Sequence, residues 1–218
     1  MADRMATAIG AVSAAEFHRS GRLELDLLIQ VGFTSNTDLV DVGCGSGRLA
    51  AHLDPEYTGR YLGTDLSADL TDYARANFGG SNRSFQVVND LTIPAADNSF
   101  DMACFFSVLT HLRHEESFLY LCEARRVLRP GGRIVATFLE YSQRNHWAVF
   151  DSMVERRATG VVAQVDQFIC VDGLHAWAEL GSLVVDEVHH GATPHIQTIA
   201  GTLETLGQSV VVFSLAAS

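Results

Sequence analysis

The run Asp41-Val42-Gly43-Cys44-Gly45-Ser46-Gly47 follows a short apolar stretch and is the first part of the 218-residue chain with residue types and spacing suited to chemistry. Glycines at alternate positions let backbone approach a ligand closely and aim N–H groups at it, which suits a nucleotide-like cofactor; a turn needing positive φ is the competing use. A dinucleotide loop reads GxGxxG, whereas here Gly47 is followed by Arg48-Leu49, so a bound pyrophosphate is not expected. Carboxylates recur at the ends of later apolar runs. Asp65 follows Tyr61 to Thr64, where it can accept both hydroxyls of a ribose at roughly the 20-residue spacing of such sites. Its alternative use is to cap the next helix, for which Ser67 is better placed. Asp90 can accept from an adenine amino group, with Leu91 offering its backbone N–H, or serve a turn.

Histidine is the natural group to take a proton near neutral pH. His111 stands at the exit of the apolar run Phe100 to Phe106 and is the leading base; ordering its loop is the alternative. Tyr141, His146 and Trp147 lie in a stretch without clear period, where they can contact an acceptor or be plain core or surface. His189, His190 and His195 form no HxxxH or carboxylate-supported ligand set, and Cys44, Cys104, Cys122 and Cys170 form no CxxC pair. No catalytic metal, structural zinc or disulfide framework is expected.

These residues need a scaffold, and from residue 36 short β-branched runs alternate with helical patterns, the sign of a parallel sheet with crossover helices. Strands are expected at Leu39 to Val42, Arg60 to Thr64, Ser84 to Val88, Phe100 to Phe106, Gly132 to Leu139, Leu183 to Val188 and Ser209 to Leu215. Helices are expected after Gly47, over Ala68 to Asn77, between Glu115 and Arg126, and from an Asp172 cap through Leu180. Upstream, Ser20 caps a helix whose Leu23, Leu27, Leu28 and Val31 share a face and which Gly32 stops. Residues 140–170 read as a variable, substrate-facing insertion, and cap helices are expected over about residues 6–32.

The motifs together resemble the class I S-adenosylmethionine (SAM)-dependent methyltransferase superfamily, in its small-molecule branch. Residues 39–48, with Asp41, Gly43, Cys44 and Gly45, are similar to its first motif; Tyr61 to Ser67, with Asp65 and Leu66, to its ribose motif; and Asn89-Asp90-Leu91 to its adenine motif. Residues 99–112 resemble its fourth strand and exit, residues 126–132 its approach to strand five, and residues 206–213 its last strand. The resemblance implies an α/β, Rossmann-like three-layer sandwich in one domain, 1–218, on a seven-stranded, mostly parallel sheet whose last strand is antiparallel. It also implies that Ser20 and Gly21 pack near the methionine part of SAM, that Phe106, Ser107 and His111 line the site floor, and that the product is S-adenosyl-L-homocysteine.

Methyl transfer is an in-line displacement, so positioning and exclusion of water dominate. A hydroxyl of a secondary metabolite or sugar is the first expectation for the acceptor. An amine or carboxylate follows, and a nicotinamide oxidoreductase or a non-catalytic SAM-binding protein are the rival classes. No Asn-Pro-Pro-Tyr sequence supports methylation of bases or glutamine. The net charge of −11 and the lack of a Lys/Arg-rich segment argue against nucleic acid as partner. Neither a secretory signal nor a run of roughly 18 apolar residues is apparent, so no membrane association is expected and the cytoplasm is the expected location. Oligomeric state is not legible.

Overall fold

The computed structural model describes residues 13–161 and 165–216. The part of the expected cap helices before residue 13 lies outside them. Ser13, extended at φ −157°, caps α1 (Ala14–Gln30) by accepting from the Glu16 N–H at 3.2 Å. The expected cap, Ser20, lies within α1 and donates instead to Glu16 Oε1 at 3.2 Å. Gly32, at φ +104°, marks the end of the helix as expected.

The strands are β1 (Leu39–Val42), β2 (Tyr61–Asp65), β3 (Arg83–Val87), β4 (Phe100–Phe105), β5 (Leu128–Phe138), β6 (Leu183–His189) and β9 (Ser209–Leu215), in the order β3-β2-β1-β4-β5-β9-β6. Strand β9 runs antiparallel between β5 and β6, and the remaining pairs are parallel. This is the seven-stranded, Rossmann-like sheet the sequence implied. Two-residue strands β7 (Ile196–Gln197) and β8 (Leu203–Glu204) make a separate hairpin that the sequence did not announce.

The period-two alternation of side chains sorts the core into two layers. Leu39, Met102, Cys104, Val135, Val210 and Val212 face α1 and α2 (Ala68–Phe78). Val40, Val42, Ala103, Phe105, Ile134, Ala136, Phe138, Val211 and Phe213 face α3 (His114–Val127) and α5 (Val171–Leu180). Helix α4 (Trp147–Ala158), in the expected insertion, buries no residue.

Two further expectations are corrected. No α-helix follows Gly47: only a 3-10 turn, Ala50–His52, forms before Asp54-Pro55, because six residues are too few to nucleate and extend a helix ahead of a proline. The cap of α5 is Cys170 rather than Asp172, its sulfur accepting from the Gly173 N–H at 3.3 Å.

Candidate functional site

Gly43, Gly45 and Gly47 have φ of +71°, +54° and +85°, a path that L side chains rarely follow. The loop's N–H groups do not face outward as the sequence suggested. Those of Gly43 and Cys44 donate to Thr64 O at 2.7 and 2.9 Å, that of Gly47 to Cys44 O at 3.0 Å, and that of Gly45 to Asp65 Oδ2 at 2.9 Å. With these amides spent and no helix N-terminus behind them, the loop has little to offer a phosphate.

What the loop does is bring backbone close to the end of β2. A Cβ on Gly63 would meet Cys44 Sγ at 2.9 Å and the Phe85 ring at 2.7 Å. Asp65, half-buried, accepts from Gly45 on one oxygen and from the Ser67 N–H, at 2.8 Å, on the other. Each oxygen keeps a lone pair for a further donor. Next along the edge, Asp90 is exposed; Oδ1 accepts from the Thr92 N–H and hydroxyl at 3.1 and 2.6 Å, while Oδ2 stays open. Leu91 is half-buried and Leu66 is exposed. An adenosine that carries no phosphate fits these groups, and Ser46 Oγ, buried in the loop without a partner among the described residues, is a polar atom that a ligand can satisfy.

Asp41 sits behind the loop rather than on its outer surface. One oxygen accepts from the Tyr61 hydroxyl at 2.6 Å and the other from the Cys104 thiol at 3.5 Å. Burial pushes its pKa up to about 6 against these bonds. Nearby, Glu24 of α1 pairs with Arg48 at 2.6 Å, and burial pushes Glu24 up to about 7 although Arg48 opposes it. Neither Glu24 nor Arg48 stood out in the sequence, because nothing local in α1 marks Glu24 as the partner of a loop arginine. Gly21 allows α1 to press on this loop, since a Cβ there would meet Arg48 O at 2.2 Å.

A cavity of about 60 Å³ opens between Ser20, Glu24 and Arg48 on one side and Phe106, Ser107 and Gln208 on the other. Small-molecule pockets run to about 300–1,000 Å³, so a ligand entering here displaces the side chains that roof it. Ser107 holds φ +61° without being glycine, its N–H donating to Thr137 Oγ1 at 2.7 Å and its hydroxyl 3.4 Å from Gln208 Oε1. A larger cavity of about 280 Å³, lined among others by Arg60, Ser84, Gln86, Pro94 and Phe100, shares no residue with the glycine loop. Its Leu62, Ser84 and Gln86 alternate with Tyr61 and Phe85, which face α2, and its arginines are occupied: Arg60 bonds Asp38, and Arg83 bonds the carbonyls of Leu53 and Asp54. The smaller one reaches Arg48, next to the loop.

Toward residues 140–170, His111 is in a 3-10 turn after β4, its Nδ1 3.2 Å from Val165 O and 3.5 Å from Asp166 Oδ1. Tyr141 and Trp147 are exposed, Tyr141 stacking on Phe168 with ring centroids 4.4 Å apart and the Trp147 indole N–H donating to Tyr141 O at 2.8 Å. His146 is different. It is buried, with Nδ1 accepting from the Glu140 N–H at 2.9 Å and Nε2 donating to Gly207 O at 2.9 Å, so neither ring nitrogen is free for an acceptor. The expectation of a substrate contact there is corrected to a structural tie. Glu140 and His190, which bond each other at 2.8 Å, were not paired by the sequence because they lie 50 residues apart. Among the described residues no cluster of three metal-ligating side chains is present, and no helix is long and apolar enough to cross a membrane.

Residues 40–136 match the family described as "Methyltransferase domain". The chain is 29% identical over 118 residues to an O-methyltransferase, cnsE, of Penicillium expansum, covering 52% of this chain and 42% of that protein. It is 32% identical over 98 residues to the ubiquinone/menaquinone biosynthesis C-methyltransferase UbiE of Desulfotalea psychrophila, covering 44% and 39%. The chain thus spans about two fifths of the length of these relatives. In fold it is similar to magnesium protoporphyrin IX methyltransferase of Synechocystis, solved with bound SAH, at a TM-score of 0.67 and 14% identity, covering 99% and 93%.

Proposed function

We propose that the chain, whose residues 40–136 match the methyltransferase-domain family, is a class I SAM-dependent methyltransferase that transfers a methyl group from SAM to a hydroxyl of a small molecule. The observation that carries the cofactor assignment is the glycine loop, whose amides are turned inward while Asp65 keeps open lone pairs and Asp90 an open oxygen near neighbouring strand ends. A pyrophosphate would meet two carboxylates and few free donors there; an adenosine meets two acceptors. In this reading Asp65 takes the ribose hydroxyls, Asp90 the adenine amino group and the Leu91 N–H a ring nitrogen. The edge from Ser20 and Gly21 to Phe106 and Ser107 borders the methionine end.

SAM supplies a methyl carbon on a sulfonium, open to in-line displacement. The protein's part is to align an acceptor oxygen and keep water away. Residues 13–216 act as one domain in this reading, with 140–170 on the acceptor side, where exposed Tyr141 and Trp147 offer aromatic surface. A net charge of −11 favours a small acceptor over nucleic acid.

A hydroxyl benefits from a general base. The sequence points to His111, whose alternative is to order its loop, and with Nδ1 3.2 Å from Val165 O the replacement His111→Ala separates the two: a loss of about a hundredfold with cofactor affinity kept marks a base, unchanged turnover a loop residue. The direct test of the reaction supplies SAM with a labelled methyl and a panel of phenols, alcohols, amines and carboxylic acids, with products identified by mass. Label on hydroxyl oxygens supports the proposal; label only on nitrogen or carboxylate contradicts it.

A further inference from the structure

Glu140 is the second residue past β5, and its side chain is 3% exposed. Three donors converge on its carboxylate: the hydroxyls of Ser209 and Ser142, and Nδ1 of His190 at 2.8 Å. Burial would raise its pKa, but the hydrogen bonds led by that from His190 hold it below its ordinary value. An ionised Glu140 only accepts, so Nδ1 of His190 carries a proton, and in the neutral imidazole the lone pair lies on Nε2. Nε2 has no partner among the described residues, and the imidazole is 49% exposed.

The placement matters as much as the pairing. His190 directly follows β6, which ends at the same edge of the sheet as β1, β4 and β5. Ser209, which donates to Glu140, is next in sequence to Gln208, which lines the cavity together with Ser107. The other titratable groups around it are engaged elsewhere. His146 bonds the backbone of Glu140 and Gly207; His189 bonds Glu187 at 2.8 Å and stacks on His195 with centroids 4.3 Å apart. Tying down a loop does not call for a buried carboxylate, whose desolvation is costly and which an amide could replace. A carboxylate on Nδ1–H both fixes a histidine in that tautomer and stabilises the imidazolium that forms when Nε2 takes a proton.

We propose that His190 is the general base of the reaction, with Glu140 as its positioning residue; this rests on the hydroxyl acceptor proposed above. The acceptor O–H proton passes to His190 Nε2, and the oxygen electron pair forms the C–O bond to the methyl carbon. The C–S bond breaks with its electrons returning to sulfur, and the imidazolium, held by Glu140, releases its proton to solvent.

The test combines two measurements on the full chain. Nitrogen-15 NMR of labelled histidine is expected to show His190 as a single Nδ1–H tautomer, with Glu140→Gln giving a mixture; an Nε2–H tautomer in the unsubstituted chain would overturn the proposal. Methyl transfer from SAM is then followed on phenols from one ionised at the assay pH to one as weakly acidic as tyrosine, pKa about 10. His190→Ala is expected to lose about a hundredfold or more on the weakest acid and to leave the ionised phenol nearly unchanged, with added imidazole restoring part of the loss. Equal loss on every phenol, or no loss while His111→Ala shows the acid-dependent pattern, would overturn it. If the unsubstituted chain methylates amines or carboxylates but no phenol, the hydroxyl reading has failed as well, an outcome that the unsubstituted chain alone reveals.

Discussion

Asp65 carries the cofactor assignment at the scale of single residues. Its two oxygens accept from Gly45 and Ser67, which fixes the carboxylate in place with lone pairs still open. Asp65→Ala removes a charged acceptor worth roughly 1.5–3 kcal/mol, so calorimetry is expected to show SAM binding about tenfold weaker or more; unchanged affinity removes Asp65 from the ribose role. Asp65 was legible because its spacing from the loop and its place after an apolar strand are both local in sequence. Glu24 with Arg48, and Glu140 with His190, were not: each pair is joined by the fold, and neither partner sits in a motif that names the other. His146 misled for a related reason, since a histidine beside Trp147 reads as surface chemistry until its two backbone partners, from Glu140 and Gly207, are in view.

At the scale of elements, β1 and β9 were legible residue for residue because their apolar runs are short and cleanly bounded. The start of α1 was not. Ser20 stands just before the face of Leu23, Leu27, Leu28 and Val31 and so read as the cap, while the Ser13-Ala14-Ala15-Glu16 pattern that actually starts the helix lay further upstream. Ser13→Ala is therefore expected to lower stability by about 1 kcal/mol in urea unfolding, and Ser20→Ala by clearly less; the reverse order would contradict the cap. The glycine loop makes a sharper case. Gly47 has φ +85°, and a Cβ there would meet Phe78 Cδ2 at 2.7 Å. Gly47→Ala should cost about 1–3 kcal/mol of stability, and a neutral effect would mean that the loop does not need this path.

Across the whole molecule, the parallel sheet with crossover helices was legible from alternation and the seven-stranded, three-layer arrangement from the family resemblance, whereas the β7–β8 hairpin was not. Its strands have two residues each, and it is held by contacts with α1, namely Arg19 with Glu204 at 2.6 Å and the Gln197 N–H with Gln30 Oε1 at 3.0 Å. The buried acids make the fold as a whole pH-sensitive. Glu24 binds its proton more tightly folded, at about 7, than at its ordinary 4.5. The stability it contributes is thus full below about 4.5 and lost as pH rises through about 7. Urea midpoints at about pH 5 and about pH 8 should fall further for the natural chain than for Glu24→Gln, and equal falls would contradict the buried carboxylate. The ligand of the glycine loop decides the function, and titration calorimetry of the full chain with S-adenosylhomocysteine and with NAD tests it most directly. The predicted result is heat with S-adenosylhomocysteine, abolished or much weakened by Asp65→Ala, and none with NAD; heat with NAD alone would contradict it.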